Sequence, residues 1–454
     1  MADTTTPQEG VVFADERKSV YRARTLVLHP DVKFRADGDG RRDASERLEE
    51  AVSLAAAIEL DVLEAQIVPI SKVRPATLFG SGKVEEIAAL VEAHEAELVV
   101  VDGALSPLQQ RNLEKDLRAK VIDRTGLILE IFGERAATKE GKLQVDMAHL
   151  SYQKGRLVRS WTHLERQRGG QGFMGGPGER QIESDRRQLQ ERIDRLAREL
   201  KTVTRTRTLH RKGRKKVPYP IIALVGYTNA GKSTLFNRLT NADVMAQDML
   251  FATLDPTLRA IELPGAGKVI ASDTVGFVSD LPTELVAAFR ATLEEVLEAD
   301  LIIHVRDIAH GETAAQKADV LDVLKGLGVS EDKMESMIEV LNKSDLLDAG
   351  DALALAEETS RQEGAVLISA ITGEGLDDFH VLVDKRLSAG FRHYALQLRP
   401  EDGAARAYLH KSAKVVDEAT ADDGSTHITA QMDEATRGRF DKNWPTVRVR
   451  EIPS

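Results

Sequence analysis

Eight consecutive residues near the middle of the chain have the types and spacing needed to hold phosphate groups. The stretch is Gly-Tyr-Thr-Asn-Ala-Gly-Lys-Ser, which fits the P-loop pattern G-x-x-x-x-G-K-[ST]. Glycines let backbone N–H groups turn toward phosphates, Lys232 can reach the β- and γ-phosphate oxygens, and Ser233 can bind Mg²⁺. The stretch therefore predicts a nucleoside triphosphate site with Lys232 as a catalytic group. The predicted phosphate-binding residues are Gly226, Tyr227, Thr228, Asn229, Ala230, Gly231, Lys232 and Ser233.

A second short motif follows the P-loop and can sense the γ-phosphate. The run Val269-Ile-Ala-Ser is followed by Asp273-Thr274-Val275-Gly276, which is typical of a strand ending in Asp-x-x-Gly. Asp273 would lie beside the Mg²⁺ ligands, and the N–H of Gly276 would contact the γ-phosphate. Gly276 is therefore the second predicted catalytic residue.

Two further motifs indicate which base is bound. The apolar run from Met337 ends in Asn342-Lys343-Ser344-Asp345, and Ser369-Ala370-Ile371 follows later in the chain. A carboxylate such as Asp345 can accept hydrogen bonds from both N1–H and the exocyclic amine of guanine, whereas adenine offers no such pair. The 369–371 stretch is typical of the loop whose N–H meets guanine O6. The four motifs in this order predict that the chain binds and hydrolyses GTP.

The elements needed to position these motifs follow from the hydrophobic pattern. The run Ile221–Val225 before the P-loop predicts a buried strand, and Thr234–Leu239 after it predicts a helix. Residues 20–133 alternate short apolar runs with helical stretches such as Ser45–Ile58 and Lys83–His94, which predicts an α/β domain with a parallel sheet. Near the C-terminus, four segments predict strand, helix, strand and strand in a small α+β domain: Tyr394–Leu398, Ala405–Glu418, Ser425–Met432 and Thr446–Arg450.

Length and composition restrict the number of domains, the cysteine chemistry and the cellular location of the protein. The 454 residues suffice for about three domains, and the absence of cysteine excludes disulfides and cysteine metal sites. No apolar run approaches the length that spans a bilayer, and the N-terminus is polar. We therefore expect a cytoplasmic protein, either free or peripheral to a membrane, without an integral membrane segment.

Charge is concentrated in one segment. From Lys154 to Lys216 there are 19 Lys and Arg against 7 Asp and Glu, a net charge of +12 in a chain of net charge −11. Two heptad-like series of apolar residues flank a glycine-rich break at Gly169–Gly178, which predicts an antiparallel helical hairpin. The series are Leu143, Met147, Leu150, Leu157, Trp161, Leu164 and then Leu189, Ile193, Leu196, Leu200, Val203.

Arginines on both sides of the break favour contact with a phosphate backbone. Aromatic residues are few, which argues against stacking-based capture of single-stranded nucleic acid, and we expect no DNA partner. The arginines are Arg156, Arg159, Arg166, Arg168, Arg186 and Arg187. The last part, Lys201–Lys216, has eight Lys and Arg and no acid. It has an alternative interpretation as a solvated basic linker.

These motifs together resemble the HflX GTPases. The resemblance rests on the glycine loop with Pro-Gly-Glu179 and the following Glu-x-Asp-Arg-Arg, the P-loop, Phe251-Ala252-Thr253-Leu254-Asp255, and Asp273-Thr-Val-Gly-Phe277. It covers residues from about 20 to about 445. One difference is the tip, Gln-Gly-Phe-Met-Gly-Gly-Pro, where the family form is one residue shorter with a basic residue before Gly-Pro-Gly.

The resemblance implies a TRAFAC-class GTPase that binds the large (50S) ribosomal subunit, separates the subunits of stalled or idle ribosomes, and contacts rRNA through the arm. It implies that residues 251–255 bind nucleotide and that Thr253 is a Mg²⁺ ligand; from the sequence alone, Thr257 is the alternative. Phe277 stands where many GTPases have a water-orienting Gln, so we expect slow hydrolysis without a partner that orders switch II, from Asp273 to about 284.

The expected organisation has five parts. They are a disordered N-terminus (1–18), an N-terminal α/β domain (19–135), the arm, which is a helical hairpin with a glycine-rich tip and basic linker (136–216), a GTPase or G domain (217–390), and a C-terminal α+β domain (391–454). We expect a monomer that needs Mg²⁺. Alternatives are a GTPase for large-subunit assembly, a signalling switch without an RNA partner, and an ATP-driven RNA-remodelling enzyme with a second nucleotide on the N-terminal domain.

Overall fold

The computed structural model describes residues 22–32, 43–165, 177–214, 219–240, 251, 257–263, 267–279, 295–388, 391–421 and 423–452. Its first sheet has four parallel strands in the order β2-β1-β3-β4. These strands are β1 (Arg24–Val32), β2 (Asp61–Ile70), β3 (Leu98–Val101) and β4 (Lys120–Asp123). The helices are α1 (Ala44–Ala56), α2 (Ser81–His94), α3 (Pro107–Leu117) and α4 (Arg124–Arg135). The predicted parallel α/β domain is confirmed.

The central strand and the helix starts of this domain follow from local sequence. All four residues of β3, Leu-Val-Val-Val, are buried, as expected for a parallel strand covered on both faces. Helix α3 begins with Ser106 and Gln109 bonded to each other's backbone N–H and with Pro107 in the first turn, a strong start signal. Helix α4 begins where the Asp123 carboxylate accepts from the N–H of Gly126.

The arm contains two long helices, α5 (Lys139–Glu165) and α6 (Pro177–Arg214). They run antiparallel, because Glu140 bonds Thr204 while Lys154 bonds Gln190. Parts of the two apolar series meet between them: Leu143, Leu150 and Leu196 are buried, and Met147, Leu189, Ile193, Leu200 and Val203 pack beside them. The predicted side chains of Trp161 and Leu164 lie outside what the structure describes. The predicted hairpin is therefore present. The tip at 166–176 lies outside the described residues.

Two details of the arm differ from the sequence interpretation. Helix α6 begins at Pro177, inside the segment expected to be non-helical, because proline is tolerated in the first turn of a helix. The helix also continues to Arg214, so most of the basic segment from Lys201 onward is helical rather than an irregular linker.

The G domain is built on a six-stranded sheet of order β10-β9-β8-β5-β7-β6, in which only the β6–β7 pair is antiparallel. The strands are β5 (Ile221–Gly226), β6 (Thr257–Leu263), β7 (Gly267–Asp273), β8 (Leu301–Asp307), β9 (Ile338–Asn342) and β10 (Ala365–Leu367). The helices are α7 (Lys232–Thr240), α8 (Thr313–Gly326), α9 (Glu331–Glu335), α10 (Ala349–Ser360) and α11 (Leu376–Ser388). The four predicted motifs follow β5, β7, β9 and β10 at the carboxyl ends of these parallel strands, where α/β folds bind ligands.

The C-terminal domain is an antiparallel sheet of order β12-β13-β11-β14 with two helices. Its elements are β11 (Phe391–Leu398), α12 (Gly403–Ser412), β12 (Lys414–Thr420), β13 (Thr426–Asp433), α13 (Glu434–Asn443) and β14 (Arg448–Ile452). The predicted helix Ala405–Glu418 is wrong beyond Ser412, since Val415 pairs with Ala430 in the sheet. Helix α13 was not predicted.

One hydrophobic core joins the N-terminal domain to the G domain. Side chains of α1 and α4, among them Leu54 and Phe132, share this core with Val225, Val275 and Phe277 of the G domain. The contact places α4 directly beside the predicted nucleotide site. Within the described ranges, no helix is both long and apolar enough to cross a bilayer.

Candidate nucleotide-binding site

The P-loop connects β5 to α7 and its glycines are required by geometry. A Cβ on Gly226 would lie 2.1 Å from the carbonyl oxygen of Val305 in β8. Gly231 has φ +89°, and a Cβ there would lie 2.2 Å from Nδ2 of Asn342. Only glycine avoids both contacts, so the loop can curve closely enough to present its N–H groups to phosphates.

Lys232 is a buried cation at the start of α7. Its Nζ donates to the carbonyl oxygen of Tyr227 at 2.6 Å, and the residue is 5 % exposed. Burial lowers the pKa of the Lys232 ammonium to about 8, although the nearby Asp273 carboxylate offsets part of the effect. A phosphate group would supply the negative charge that this buried ammonium needs.

Ser233 and Asp273 provide an oxygen-rich corner beside Lys232. The Ser233 hydroxyl donates to Oδ2 of Asp273 at 2.7 Å, and Asp273 is fully buried. Hydroxyl and carboxylate oxygens are the ligands that Mg²⁺ prefers, so these residues fit such an ion. Thr257 begins β6 directly opposite Asp273 in register. The predicted Mg²⁺ ligand Thr253 lies outside the described residues, as do Ala252, Leu254 and Asp255.

The Asp-x-x-Gly motif lies against the P-loop. A Cβ on Gly276 would be 2.8 Å from Cγ2 of Thr228 and 3.0 Å from Nζ of Lys232. The following residue, Phe277, accepts a hydrogen bond from the Thr228 N–H at 2.7 Å and donates its own N–H to Gly226 at 3.1 Å. Gly276 is therefore next to Lys232, as a residue that senses the γ-phosphate must be.

The Asn342 side chain connects the P-loop to the predicted guanine loop. Its Nδ2 donates to the carbonyl oxygen of Ala230, and its Oδ1 accepts from the N–H of Ala370, both at 2.9 Å. Asn342 is 2 % exposed. Its amide therefore fixes the spacing between the phosphate and base subsites rather than reaching a ligand.

The guanine-specific carboxylate is exposed and oriented. Asp345 is exposed, and its Oδ1 accepts from the Ser369 hydroxyl at 2.5 Å. Lys343 has φ +70° and pairs with Asp307 at 2.7 Å, while Ile371 is 67 % exposed. The arrangement leaves Asp345 with acceptor capacity for the edge of a guanine base.

The side chains of several predicted nucleotide-binding residues contact other groups of the protein. The Tyr227 hydroxyl contacts Glu50 of the N-terminal domain, and the Thr274 hydroxyl donates to Leu224. Val275 is in the shared core. Phe251 packs its ring edge-on against Phe132, with centroids 4.7 Å apart. Any nucleotide contact by these four residues would have to use backbone groups.

One arginine predicted to contact phosphates is already paired. Arg156 Nη2 lies 2.5 Å from Oδ2 of Asp123, and its guanidinium stacks over the Tyr152 ring. The Tyr152 hydroxyl donates to the same carboxylate, and burial together with the Asp123 charge raises the pKa of that hydroxyl. Arg156 therefore attaches α5 to the N-terminal domain and is not available to RNA.

Sequence reasoning missed Glu50, Arg124 and Ser279, which join the N-terminal domain to the site. Arg124 Nη2 donates to the Ser279 hydroxyl at 2.8 Å across 155 positions of sequence. No local motif marks such a pair. Among the residues the structure describes, no group of three or more His, Asp or Glu side chains forms another metal site.

Family models match most of the chain. They are described as GTP-binding GTPase N-terminal (residues 45–133), GTP-binding GTPase middle region (135–214), 50S ribosome-binding GTPase (221–343) and HflX C-terminal domain (354–449). The first and third matches lie within the N-terminal and G domains, the second covers the arm, and the fourth covers the end of the G domain together with the C-terminal domain.

Curated relatives extend over nearly the whole sequence. The GTPase HflX of Magnetococcus marinus is 49% identical over 400 residues, which is 88% of this chain and 91% of that protein. The GTPase HflX of Escherichia coli K12 is 43% identical over 387 residues, 85% of this chain and 90% of that protein. A GTP-binding protein of Sulfolobus solfataricus, solved with GDP, is 24% identical, with a TM-score of 0.43 over 81% of this chain and 99% of that one.

This chain thus contains a P-loop, an exposed Asp345 and a close approach of Gly276 to Lys232. It also matches relatives named as GTPases over most of their length. The protein is a hydrolase acting on GTP, and it belongs to the HflX family.

Proposed function

We propose that this GTPase binds the large ribosomal subunit through rRNA contacts of the arm, and that its nucleotide state controls the separation of stalled or idle ribosomes. The observation that carries the proposal is the set of exposed arginines on α6, within a segment, Lys154–Lys216, that has a net charge of +12. Arg186, Arg187, Arg192, Arg195 and Arg198 are all exposed, while the apolar side of the same helix packs on α5. The matched family description, 50S ribosome-binding GTPase, supports the same partner.

The arm suits a phosphate backbone better than a protein surface. Its arginines project from a helix whose other side is fixed by Leu196 and its neighbours, so the charges have a defined spacing. Arginine binds phosphate with two parallel hydrogen bonds and is weakly hydrated. A signalling switch that recognises only protein would gain little from a segment with a net charge of +12.

The nucleotide site would work with Mg²⁺ held by Ser233 and by a threonine of switch I, with Thr253 as our first choice. The ion would neutralise charge on the phosphate oxygens during hydrolysis. Lys232 and the N–H of Gly276 would stabilise the negative charge that develops as water attacks the γ-phosphate. These groups act by electrostatics and position, without a covalent step.

Hydrolysis by the isolated protein should be slow. Phe277 is 2 % exposed and packs in the shared core, so it neither faces the attacking water nor offers a polar atom to it. We propose that a ribosomal partner supplies or orders the group that positions water. Steady-state turnover with and without 50S subunits tests this; equal rates would show that no partner is needed.

We further propose a monomer that acts in the cytoplasm. Assistance to large-subunit assembly remains the alternative function for the same contacts, and it differs from splitting in its substrate. Light scattering of intact 70S ribosomes with the protein and GTP distinguishes them, because only a splitting factor reduces the scattering.

The central experiment is co-sedimentation with purified 50S subunits, with a GTP analogue or GDP, over a series of salt concentrations. The variant Arg195→Gln/Arg198→Gln should bind more weakly, and its salt slope should fall by about 1.5, since each phosphate contact contributes about 0.7–0.9. A matched control, Arg361→Gln/Arg392→Gln, removes two exposed arginines elsewhere. Equal binding by the two variants would refute the contact through α6.

A further inference from the structure

Ser279 lies three residues after Gly276, and each of its polar groups has a hydrogen-bond partner. Its N–H donates to the Tyr227 hydroxyl oxygen at 2.6 Å, and its own hydroxyl donates to Oε2 of Glu50 at 2.9 Å. Arg124 donates to its hydroxyl oxygen at 2.8 Å and to its carbonyl oxygen at 3.2 Å. Ser279 is 4 % exposed. We call Glu50, Arg124, Tyr227 and Ser279 the Ser279 node.

Two members of the node come from the N-terminal domain and are oriented there. Arg124 begins α4 and pairs with Asp102 at 2.6 Å, and Asp102 also contacts His29 at 2.7 Å. Burial alone would raise the pKa of Asp102, but the Arg124 charge and the His29 bond together lower it. Contacts within the N-terminal domain therefore orient the Arg124 guanidinium toward Ser279. Glu50 places a second carboxylate 3.1 Å from Arg124.

The other two members belong to segments that bind nucleotide. Tyr227 is a P-loop residue whose hydroxyl donates to Oε1 of Glu50 at 2.6 Å. Ser279 is in switch II, and the residues just before it lie along the P-loop through the Thr228–Phe277 and Phe277–Gly226 backbone bonds. Helix α4 also reaches Phe251, the first residue of the Phe-Ala-Thr-Leu-Asp motif, through Phe132. Helices α1 and α4 of the N-terminal domain together thus contact residues of all three segments.

The position of switch II in this arrangement competes with phosphate binding. The Thr228 N–H donates to Phe277, and Lys232 donates to the carbonyl oxygen of Tyr227. A γ-phosphate needs contacts with both Lys232 and the Gly276 N–H. A Cβ added to Gly276 would lie 3.0 Å from Nζ of Lys232, so switch II leaves little room between these two groups. We therefore expect the γ-phosphate, which GTP has and GDP lacks, to move switch II away from the P-loop.

We propose that Arg124 and Glu50 are positioning residues of the GTPase site: they hold switch II on the P-loop from the neighbouring domain. Docking of the N-terminal domain then favours GDP over GTP. By reciprocity, GTP weakens the contact between the two domains. The hydrogen bonds of the Ser279 node are the ones that change between the GDP-bound and GTP-bound states.

The first test measures dissociation constants for GDP and a non-hydrolysable GTP analogue on full-length protein, without ribosomes, so that its outcome is independent of the proposed ribosomal role. Arg124→Met should raise the affinity for the analogue relative to GDP by about fivefold or more, the lower end of typical couplings between sites. The control Arg135→Met lies on the same helix, where its guanidinium bonds Ala57 within the N-terminal domain. It should leave the ratio within about twofold, since Arg135 lies at the opposite end of α4 from Arg124.

A milder variant probes the same contact with less disturbance of the fold. Tyr227→Phe removes the hydroxyl that joins Glu50 to Ser279 and retains the ring in the shared core. It should shift the nucleotide ratio in the same direction as Arg124→Met. If the node had a purely structural role, Arg124→Met would lower thermal stability with no shift in the ratio. An unchanged ratio, or a shift toward GDP, overturns the proposal.

The second test follows the domains directly. Because the chain has no cysteine, the exposed positions Glu92 and Leu353 can each be changed to Cys and labelled specifically. Electron paramagnetic resonance should give different distance distributions with GDP and with the GTP analogue in the otherwise unchanged protein. In the Arg124→Met background the two distributions should coincide. Identical distributions in the unchanged protein would also overturn the proposal.

Discussion

The buried P-loop lysine makes nucleotide binding dependent on pH in a range that is easy to study. The pKa of Lys232 is lowered to about 8, mainly by burial, and only the charged ammonium attracts phosphates. A bound phosphate raises this pKa again, so binding is accompanied by proton uptake above pH 8. Affinity should be complete below pH 8 and should be lost as the pH rises above it.

The magnitude follows from the shifted pKa. At pH 7 about nine-tenths of the free protein carries a charged Lys232, and at pH 9 about one-tenth does. The dissociation constant of GDP should therefore rise about tenfold between pH 7 and pH 9, which corresponds to about 1.4 kcal/mol. An unperturbed lysine, with a pKa near 10.4, would give almost no change over this interval.

Titration with a fluorescent GDP analogue from pH 6.5 to pH 9.5 measures the effect. Guanine itself ionises at alkaline pH, so a control that shares the base but not the lysine is needed. Lys232→Arg provides it, because arginine keeps its charge throughout this range. Its affinity should be lower but should show no bend near pH 8. A flat profile for the unchanged protein, or the same bend in both proteins, would refute the reasoning.

Three further predictions concern buried and exposed polar groups of the G domain. His304 has its pKa lowered to about 3 by burial, so the unfolded chain takes up a proton first as the pH falls below 6.5. The free energy of unfolding should drop by about 2 kcal/mol between pH 6.5 and 5, and urea titrations of His304→Leu should lack this drop. Asn342→Ala leaves the Ala230 carbonyl and the Ala370 N–H without their partner. It should lower the free energy of unfolding by about 3 kcal/mol, a value that a near-neutral result in urea would contradict. Asp345→Asn should weaken GDP binding by about 100-fold or more, because bonds to a charged acceptor contribute about 1.5–3 kcal/mol each; unchanged affinity in the same titration would remove Asp345 from the base subsite.

Local motifs predicted the nucleotide site because each of them is a short piece of chain with fixed geometry. Gly231 can be recognised from its neighbours alone, and the structure shows the close approach of Asn342 that excludes any other residue. Contacts across long separations cannot be recognised in this way. Arg124 and Ser279 are 155 positions apart, and a single sequence gives no reason to pair them.

The errors have the same origin. The sequence shows that Arg156 is charged, but its partner Asp123 lies 33 positions earlier, at the end of strand β4, and no local pattern connects the two residues. Val415 was assigned to a helix because the stretch before it is helical, whereas its pairing with Ala430 in the sheet decides its structure. In both cases a tertiary contact overrides a local preference.

The length of α6 has a mechanical consequence. The helix has 38 residues, so it is about 57 Å long. Its base at Arg214 is seven positions before the first residue of β5, the strand that ends in the P-loop. A tilt of only about 5° at the base would displace the far end by about 5 Å, as for any straight rod of this length. A movement too small to disturb the sheet could thus become a displacement comparable to the rise of one helical turn at the other end of the lever.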